Sequence, residues 1–407
     1  MNHKFILIDF SCGRFYTHHS SYIFDYAEFI SKNGHHVCVC VNDSADADVA
    51  SLFSRYDFSA ILKSSNYGTD RKKHLVRFLQ EKLYKNIFTI LKFFTIKEVY
   101  IESLKSFLSK NYVESAVKYL ETKTSNIEQI TLVFPTTDSL SFRLIERLAN
   151  LNYPNISRIC VRITGAEKRG IFGVQNSELR LSIIERTAKF KLAIGVETDI
   201  YKHKFNKIDN NSKMPIYWAP MPSVARSIRS KLSNDTIVQI GFLGSARKDK
   251  GFEDIPQILR VFAQNKVKFH ATIQKPIFEW ENSSNIIQEV NSDFENQETW
   301  LRGGISRYEI EDTISKMNWL FLPYNTGAYQ YAGSGIMFIA ADLFVPIISN
   351  KEVAFAWDLD NFDIGITYKN YEDLKLDFAK LNKSNFKNKI LNYNLARNYA
   401  NNIFLNL

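Results

Sequence analysis

A continuous apolar run near the start of the chain constrains the fold more than any other feature. Residues 5–10 (FILIDF) are followed by the polar, glycine-containing segment Ser11–Arg14. A strand this apolar on both alternating faces is typical of a buried parallel sheet. The periodicity of Tyr22–Ile30 predicts a helix that stops at Asn33-Gly34, and Val37–Val41 predicts the next strand. This βαβ unit indicates an α/β fold whose ligand-binding loops follow the strands.

The same alternation of strand and helix continues along the chain in two series. The first predicts strands at 58–62, 130–134, 158–163 and 191–196, with helices at 140–151 and 178–190. The second predicts strands at 237–243, 267–273, 319–322 and 345–349, with helices at 252–264, 308–317 and 387–404. Each series is long enough to form a domain of its own.

The chain has 407 residues, which suits two domains rather than one core. Three prolines in 215–222, followed by a polar stretch to 235, predict an interdomain connection. We therefore expect an N-terminal domain at 1–222 and a C-terminal domain at 235–390. A terminal helix at 391–407 is expected to pack back on the N-terminal domain.

Composition narrows the class of protein. Hydrophobic residues make up 45% and charged residues 23% of the chain, as in a globular protein. The net charge of +9 favours anionic partners, but no nucleic-acid-binding motif is present, so nucleic acid is not an expected partner. The sequence has neither a long apolar run nor a signal-peptide pattern, which favours the cytoplasm. Four cysteines without metal-ligand spacing predict reduced core thiols and no metal site.

The loop that follows the predicted strand 237–243 is suited to phosphate. Gly244-Ser245 leads into Arg247 and Lys250 just before Gly251 and a helix. Helix N-terminal amides attract anions, and an arginine fork with a lysine charge could hold a diphosphate and stabilise it as it departs. A solvated basic turn is the alternative interpretation.

A second loop in the same half has similar chemistry. Leu322-Pro323-Tyr324 ends a strand, and Tyr331-Ala332-Gly333-Ser334-Gly335 precedes a helix. The two glycines would let backbone approach a ligand closely, and the serine adds a hydroxyl. A structural turn before a core helix is the alternative.

These two segments, about 80 residues apart, together with Val345-Pro346 and Asn33-Gly34-His35-His36-Val37, resemble glycosyltransferase family 4. The resemblance implies the GT-B fold, in which two Rossmann-like domains enclose a deep cleft beside a C-terminal helix. It implies transfer of a sugar from a nucleotide-sugar to a glycan, lipid-linked or other surface-polysaccharide acceptor, with retention and without a metal cofactor. From the chemistry of the two loops we expect Arg247 and Lys250 to act in catalysis. The residues expected to bind the donor are Gly244, Ser245, Tyr324, Tyr331, Gly333, Ser334 and Gly335.

The chain departs from the family at one pair of positions. The family carries two glutamates eight positions apart, where this chain has Tyr331 and Ile339. One of those glutamates contacts the nucleotide ribose and the other lies near the sugar. The donor contacts must therefore differ here, and a GT-B-like binding subunit without catalysis is an alternative. A nucleotide-sugar epimerase of the same architecture is a weaker one, because its catalytic carboxylates cannot be placed.

An inverting enzyme would need a general base in the N-terminal half. Candidate carboxylates follow predicted strands at Asp138, Glu167 and Glu197, although a helix cap or a solvated turn is the alternative for each. We expect acceptor contacts from residues near the same strand ends: Gly13, Arg14, His18, Arg162, Thr164 and Glu197. His19 adjoins His18 before the first helix, and either histidine could equally be structural.

Residues 71–97 contain eight Lys or Arg against one Glu, interleaved with Leu, Ile and Phe. This mixture suits a helix lying on an anionic membrane surface. A core helix with a solvated basic face is the alternative. The membrane interpretation would place the protein on the inner face of a membrane and favour a membrane-borne acceptor.

Overall fold

The computed structural model describes residues 3–13, 18–62, 112–123, 129–151, 153–164, 181, 184–208, 215–224, 226, 237–244, 246–277, 282–374 and 383–407. Arg14, Glu167, Ser245, the basic segment 71–97 and most of the predicted helix 178–190 lie outside the described residues. His18 is described only as the first residue of a helix.

The first half forms a seven-stranded parallel sheet. Its strands are β1 His3–Asp9, β2 His36–Asn42, β3 Asp57–Leu62, β4 Gln129–Phe134, β5 Ile156–Ile163, β6 Lys191–Val196 and β7 Ile216–Trp218. They are ordered β3-β2-β1-β4-β5-β6-β7, so the winding direction reverses between β1 and β4. Every paired neighbour runs parallel.

Helices cover both faces of this sheet: α1 His18–Lys32, α2 Ala47–Leu52, α3 Ser139–Leu151 and α4 Asp199–Ile208. The strand residues alternate between two apolar clusters, with Ile6 and Ile8 in one and Phe5 and Leu7 in the other. This is why β1 is apolar at nearly every position. All four cysteines are buried and free, as predicted.

The second half forms a six-stranded parallel sheet with the same winding. Its strands are β8 Val238–Phe242, β9 Phe269–Gln274, β10 Glu298–Leu301, β11 Trp319–Leu322, β12 Ile347–Asn350 and β13 Gly365–Tyr368. The order is β10-β9-β8-β11-β12-β13, which reverses between β8 and β11. Its helices are α5 Ile255–Gln264, α6 Ser283–Asp293, α7 Arg307–Ser315, α8 Gly335–Asp342 and α9 Ala356–Phe362, and α10 Lys387–Leu405 follows.

The sequence predictions failed on short edge elements. No strand was predicted within the proline-rich stretch 215–222, but Ile216–Trp218 is the edge strand β7 of the first sheet, inside the predicted N-terminal domain 1–222. Strands β10 and β13 have four residues each and lie at sheet edges. Too few apolar positions are present in such segments to establish a period.

Helix α10 contacts both halves. Near its start, Ile390 and Tyr393 lie in the core of the second sheet. Near its other end, Phe404 lies in the core on one face of the first sheet, and its carbonyl accepts a hydrogen bond from Arg158 at 2.8 Å. The helix therefore holds the two sheets at a fixed relative position.

A buried ion cluster also joins the halves. Asp25 of α1 is fully buried and binds Arg226 at 3.2 Å and Arg307 of α7. Arg226 also binds Glu311 at 2.9 Å and Asp342 at 2.6 Å. Buried charges are tolerated only when paired, so these groups are stable only while the two halves remain together.

We predict that Asp25→Ala lowers the free energy of unfolding by about 3–5 kcal/mol, because it leaves two buried arginines short of a carboxylate. Asp293→Ala is the control, since Asp293 pairs with Arg260 on the surface and exposed pairs contribute about 0–1 kcal/mol. Urea unfolding followed by circular dichroism measures both. Equal losses would contradict a role for the cluster in joining the halves.

Candidate functional site

The loop after β8 begins at the reversal of the second sheet, where α/β proteins bind ligands. The amide of Gly244 donates to Gln274 Oε1 at 2.8 Å, which ties the loop to the end of β9. Gly251 has φ +69°, and a Cβ there would lie 1.9 Å from the carbonyl oxygen of Pro323. Only glycine allows this approach. The two segments singled out from the sequence are therefore packed together.

Lys250 lies between these segments. Its ammonium donates to the carbonyl of Gly244 and lies 5.4 Å from the ring centroid of Tyr324. Burial, together with the nearby guanidinium of Arg247, lowers the pKa of Lys250 to about 7. Its uncharged amine therefore forms at a lower pH than that of an exposed lysine.

A cavity of about 20 Å³ adjoins Lys250 and is lined by Gly244, Gln274 and Tyr324 among others. It has room for about one water molecule. Tyr324 is buried beside this cavity, and burial raises the pKa of its hydroxyl to about 12 although Ser334 lies close to it.

Arg247 is half exposed at the mouth of the loop. Its guanidinium forms a fork on Asp249, with distances of 2.9 and 3.0 Å, and reaches the hydroxyl of Tyr329 at 3.5 Å. An anion arriving here would compete with Asp249 for the same nitrogen atoms.

The glycine-containing loop after β11 faces the first sheet. The carbonyl of Tyr331 accepts from Thr198 at 2.9 Å, and the amide of Gly333 donates to Glu197 Oε2 at 3.0 Å. A Cβ on Gly333 would lie 2.5 Å from Glu197. Ser334 caps α8 by accepting from Met337 N. The loop is thus held by residues that follow β6.

Glu197 and Arg162 are brought together, but beneath the protein surface. Arg162 is fully buried and donates to Glu197 at 2.6 Å, to Ala219 O at 2.8 Å and to Pro135 O at 3.0 Å. Every nitrogen of its guanidinium is thereby used inside the protein. The expected acceptor contacts of these two residues are replaced by a buried link between the sheets.

Asp138 is occupied as a helix cap. Its Oδ1 accepts from the amide and hydroxyl of Ser141 in α3, at 2.8 and 2.9 Å, and its Oδ2 accepts from Ser11 Oγ at 3.2 Å. Burial and the nearby Asp9 raise the pKa of Asp138. A carboxylate with both oxygens committed to the fold is poorly suited to be a mobile base.

The other candidate acceptor residues lie at two different strand ends. Gly13 follows β1, and its carbonyl accepts from the amide of Asp46 at 3.1 Å. Thr164 is half-buried just past β5.

A histidine–aspartate pair was not singled out as a unit from the sequence. His19 Nδ1 lies 2.9 Å from Asp9 Oδ2 and 3.0 Å from Thr136 Oγ1. Burial disfavours the imidazolium, but the Asp9 carboxylate outweighs it and raises the pKa of His19. The signal was available: Asp9 is the one charged residue in the apolar run 5–10, and Thr136 directly follows Pro135 after β4.

Two kinds of feature are absent from the described ranges. No group of three or more His, Cys, Asp or Glu there could hold a metal ion. No helix there is long and apolar enough to cross a membrane.

No protein-family model matches the chain, and no curated protein sequence matches it either. Solved structures do. HepE of Anabaena, determined with UDP and glucose, aligns over 99% of both chains at a TM-score of 0.61 and 10% identity. Sucrose-phosphate synthase of Thermosynechococcus elongatus aligns over 98% of this chain and 94% of its own, at 0.61 and 12%.

The lipopolysaccharide outer core galactosyltransferase WaaB aligns over 100% of both chains at a TM-score of 0.59 and 11% identity. At such identities the similarity shows the fold. The chain has the GT-B fold, with two doubly wound parallel sheets and a C-terminal helix, and the predicted fold class is confirmed.

The lowered pKa of Lys250 predicts a pH-dependent stability. The unfolded lysine keeps its proton to about pH 10, whereas the folded one loses it near pH 7. The cost of burying the charge is therefore present in full below pH 7 and is relieved as the pH rises toward 10.

We expect the stability of the wild type to increase relative to that of Lys250→Met as the pH rises from 7 to 10. Melting temperatures of the two proteins across this range measure it. Lys266→Met, at an exposed lysine, is the control and should follow wild type. A constant difference between wild type and Lys250→Met would show that the buried lysine titrates normally.

Proposed function

We propose that this GT-B chain is a glycosyltransferase that moves a sugar from a nucleotide-sugar donor to a glycan, lipid-linked or other surface-polysaccharide acceptor. The observation that carries the proposal is the packing of the Gly244–Gly251 loop against Pro323, which places Lys250 and Arg247 at the reversal of the second sheet. Two cationic side chains at this position would stabilise the negative charge of a leaving diphosphate.

The chemistry of the step follows from the charge that develops. When the bond between the sugar and the diphosphate breaks, negative charge accumulates on the phosphate oxygens. In this proposal Lys250 supplies a point charge, Arg247 a fork of donors, and the N-terminal amides of α8 a partial positive charge. These groups do the work of a divalent ion, so we propose a metal-independent enzyme without a cofactor.

The donor and acceptor are divided between the halves. In this proposal, residues 235–390 bind the nucleotide-sugar, residues 1–222 bind the acceptor, and 391–407 complete the N-terminal domain. Two similar structures support these ligand classes for a chain of this fold: HepE, which was determined with UDP and glucose, and WaaB, a lipopolysaccharide outer core galactosyltransferase.

Two stereochemical courses remain for the transfer. The resemblance to family 4 implies retention, with the leaving phosphate taking the acceptor proton. The alternative, inversion, needs a base in the N-terminal half. A GT-B-like binding subunit without turnover is the alternative to both, motivated by Tyr331 and Ile339 in place of the two glutamates.

We predict that Arg247→Ala combined with Lys250→Ala weakens nucleoside-diphosphate binding by about 3–6 kcal/mol, from roughly 1.5–3 kcal/mol for each hydrogen bond to a charged group. A thermal-shift screen with UDP, GDP, dTDP, CMP and their sugars first identifies the nucleotide, and calorimetry then measures affinity. Turnover is also measured in excess EDTA. It should persist, because cationic side chains and not a divalent ion are proposed to neutralise the leaving diphosphate.

Lys248→Ala is the matched control, since it removes an exposed cation from the same loop. Unchanged affinity and turnover in the double variant would refute the donor site. Binding of nucleotide-sugar without turnover by the wild type would favour the binding-subunit alternative.

We further propose that residues 71–97 let the protein associate reversibly with the inner, anionic face of a membrane. The support is the sequence: eight basic residues interleaved with aromatic and aliphatic ones. Each Lys or Arg near an acidic surface contributes about 1 kcal/mol, so four facing the lipid would give about 4 kcal/mol at low salt. An acceptor carried by the membrane would then be within reach.

We expect wild-type protein to sediment with acidic but not with neutral vesicles, and added salt to reduce the effect. Changing Lys72, Lys73, Arg77 and Lys82 to Gln should abolish sedimentation. The control removes the same charge elsewhere by changing Lys266, Lys268, Lys275 and Lys316 to Gln. Equal sedimentation of the first variant and wild type would contradict the membrane interpretation.

A further inference from the structure

Helix α10 carries apolar side chains on two opposite faces. One face is buried, with Tyr393 in the core of the second sheet and Phe404 in a core of the first. The other face is exposed and has a large apolar side chain at every fourth position: Leu391, Leu395, Tyr399 and Ile403. Leu395 is 59% exposed and Tyr399 is 70% exposed. A helix that is apolar all round is normally buried all round, so the exposed face is a candidate interaction surface.

The exposed face of α10 is also uncharged beyond its first turn. Between residues 390 and 407 the only charged residue is Arg397, which is fully buried and binds Asp342 at 3.0 Å. Other surface helices differ: Arg260 of α5, for example, pairs with Asp293 of α6. The chain has a net charge of +9, so two copies repel each other over much of their surface. An uncharged apolar face is where two copies can meet.

The polar residues beside this face favour a protein partner over a lipid surface. Helices that lie on membranes carry Lys or Arg along their polar face. The exposed polar residues of α10 beyond its first turn are asparagines, such as Asn392 and Asn406. Asparagine does not attract anionic headgroups, but its amide can donate to and accept from another amide across a helix pair.

The four-residue spacing fits a second copy of the same helix. Side chains at i and i+4 form one continuous ridge, and two such ridges interdigitate when the helices cross at about −50°. A two-fold axis at the level of Arg397 places Leu395 against the partner's Tyr399. The same axis places Leu391 against the partner's Ile403. A symmetric dimer requires a self-complementary surface of this kind.

The first turn of α10 favours an antiparallel pair. Lys387 and Lys389 lie in this turn, and no acidic residue does. In a parallel pair each lysine would approach its own copy. In an antiparallel pair both lie toward the carboxyl end of the partner helix, where unpaired carbonyl groups carry a partial negative charge.

We propose that the exposed face of α10, formed by Leu391, Leu395, Tyr399 and Ile403, is a homodimer interface in which two copies of the helix cross antiparallel. A contact through one helix is smaller than the roughly 800 Å² per partner of a stable interface. The dimer should therefore form at high protein concentration and dissociate on dilution.

Analytical ultracentrifugation of the full chain at several concentrations measures the dimer. Leu395→Glu and Tyr399→Lys should each raise its Kd about tenfold or more, because each change occurs twice in a symmetric interface. Both positions are exposed, so the melting temperatures should stay near that of wild type. Tyr308→Lys is the matched control, since Tyr308 is 63% exposed on α7, outside this face, and its replacement should leave the Kd unchanged.

Mixing the two variants tests the antiparallel arrangement. In a mixed dimer the carboxylate introduced at position 395 lies opposite the ammonium introduced at position 399 of the other chain. The second pair in that dimer is the native one, Tyr399 against the partner's Leu395. An equimolar mixture of Leu395→Glu and Tyr399→Lys should therefore dimerise more tightly than either variant alone.

A wild type that is monomeric at every concentration would overturn the dimer. So would equal weakening by Tyr308→Lys, or a mixture that dimerises no more tightly than the single variants. A monomer whose sedimentation with vesicles is lost in Leu395→Glu would assign the face to lipid instead. A monomer whose melting temperature falls in Leu395→Glu would show that another part of the chain covers the face, which also excludes the dimer.

Discussion

The carboxylate of Glu197 is shared between the two halves of the molecule, and the geometry of the whole site depends on it. One oxygen accepts from the buried guanidinium of Arg162 and the other from the amide of Gly333 in the second half. A buried carboxylate destabilises the folded protein unless its oxygens are hydrogen-bonded or paired with a charge. Removing either partner of Glu197 would therefore lower the stability of the protein. The contact is possible because position 333 has no side chain. The loop that begins α8 is therefore placed by the first sheet as much as by its own.

The histidine–aspartate pair and the candidate donor loop share a topological origin. Each sheet reverses its winding once, between β1 and β4 and between β8 and β11. At a reversal the flanking connections diverge to opposite faces and leave a crevice at the strand ends. Asp9 is the last residue of β1, the first strand of one reversal, and Lys250 lies in the loop that follows β8, the first strand of the other. The chemistry differs because one crevice collects an acid and an imidazole, and the other collects cations.

The fold class could be predicted from the sequence because buried parallel strands are continuous apolar runs, as residues 5–10 and 37–41 are. The candidate donor loop could be found because its glycines and cations are contiguous. The roles of Arg162 and Glu197 could not be predicted. They lie 35 positions apart, and nothing local distinguishes a carboxylate that reaches solvent from one turned toward a buried arginine. The contact between His19 and Asp9 could be predicted only from the order of the strands in the sheet. The sequence pattern of individual strands does not give that order.

Helix α10 has a consequence for how the chain is made. Asn401 donates to the carbonyl of Pro220, 181 positions earlier, and Phe404 fills a gap above Gly195 in the first sheet. During synthesis the first sheet therefore emerges long before the helix that covers this part of its surface. Until then its β5–β6 region exposes apolar side chains to solvent or to a chaperone. The two halves can begin to fold in order, but the first cannot complete its core until the second has been translated.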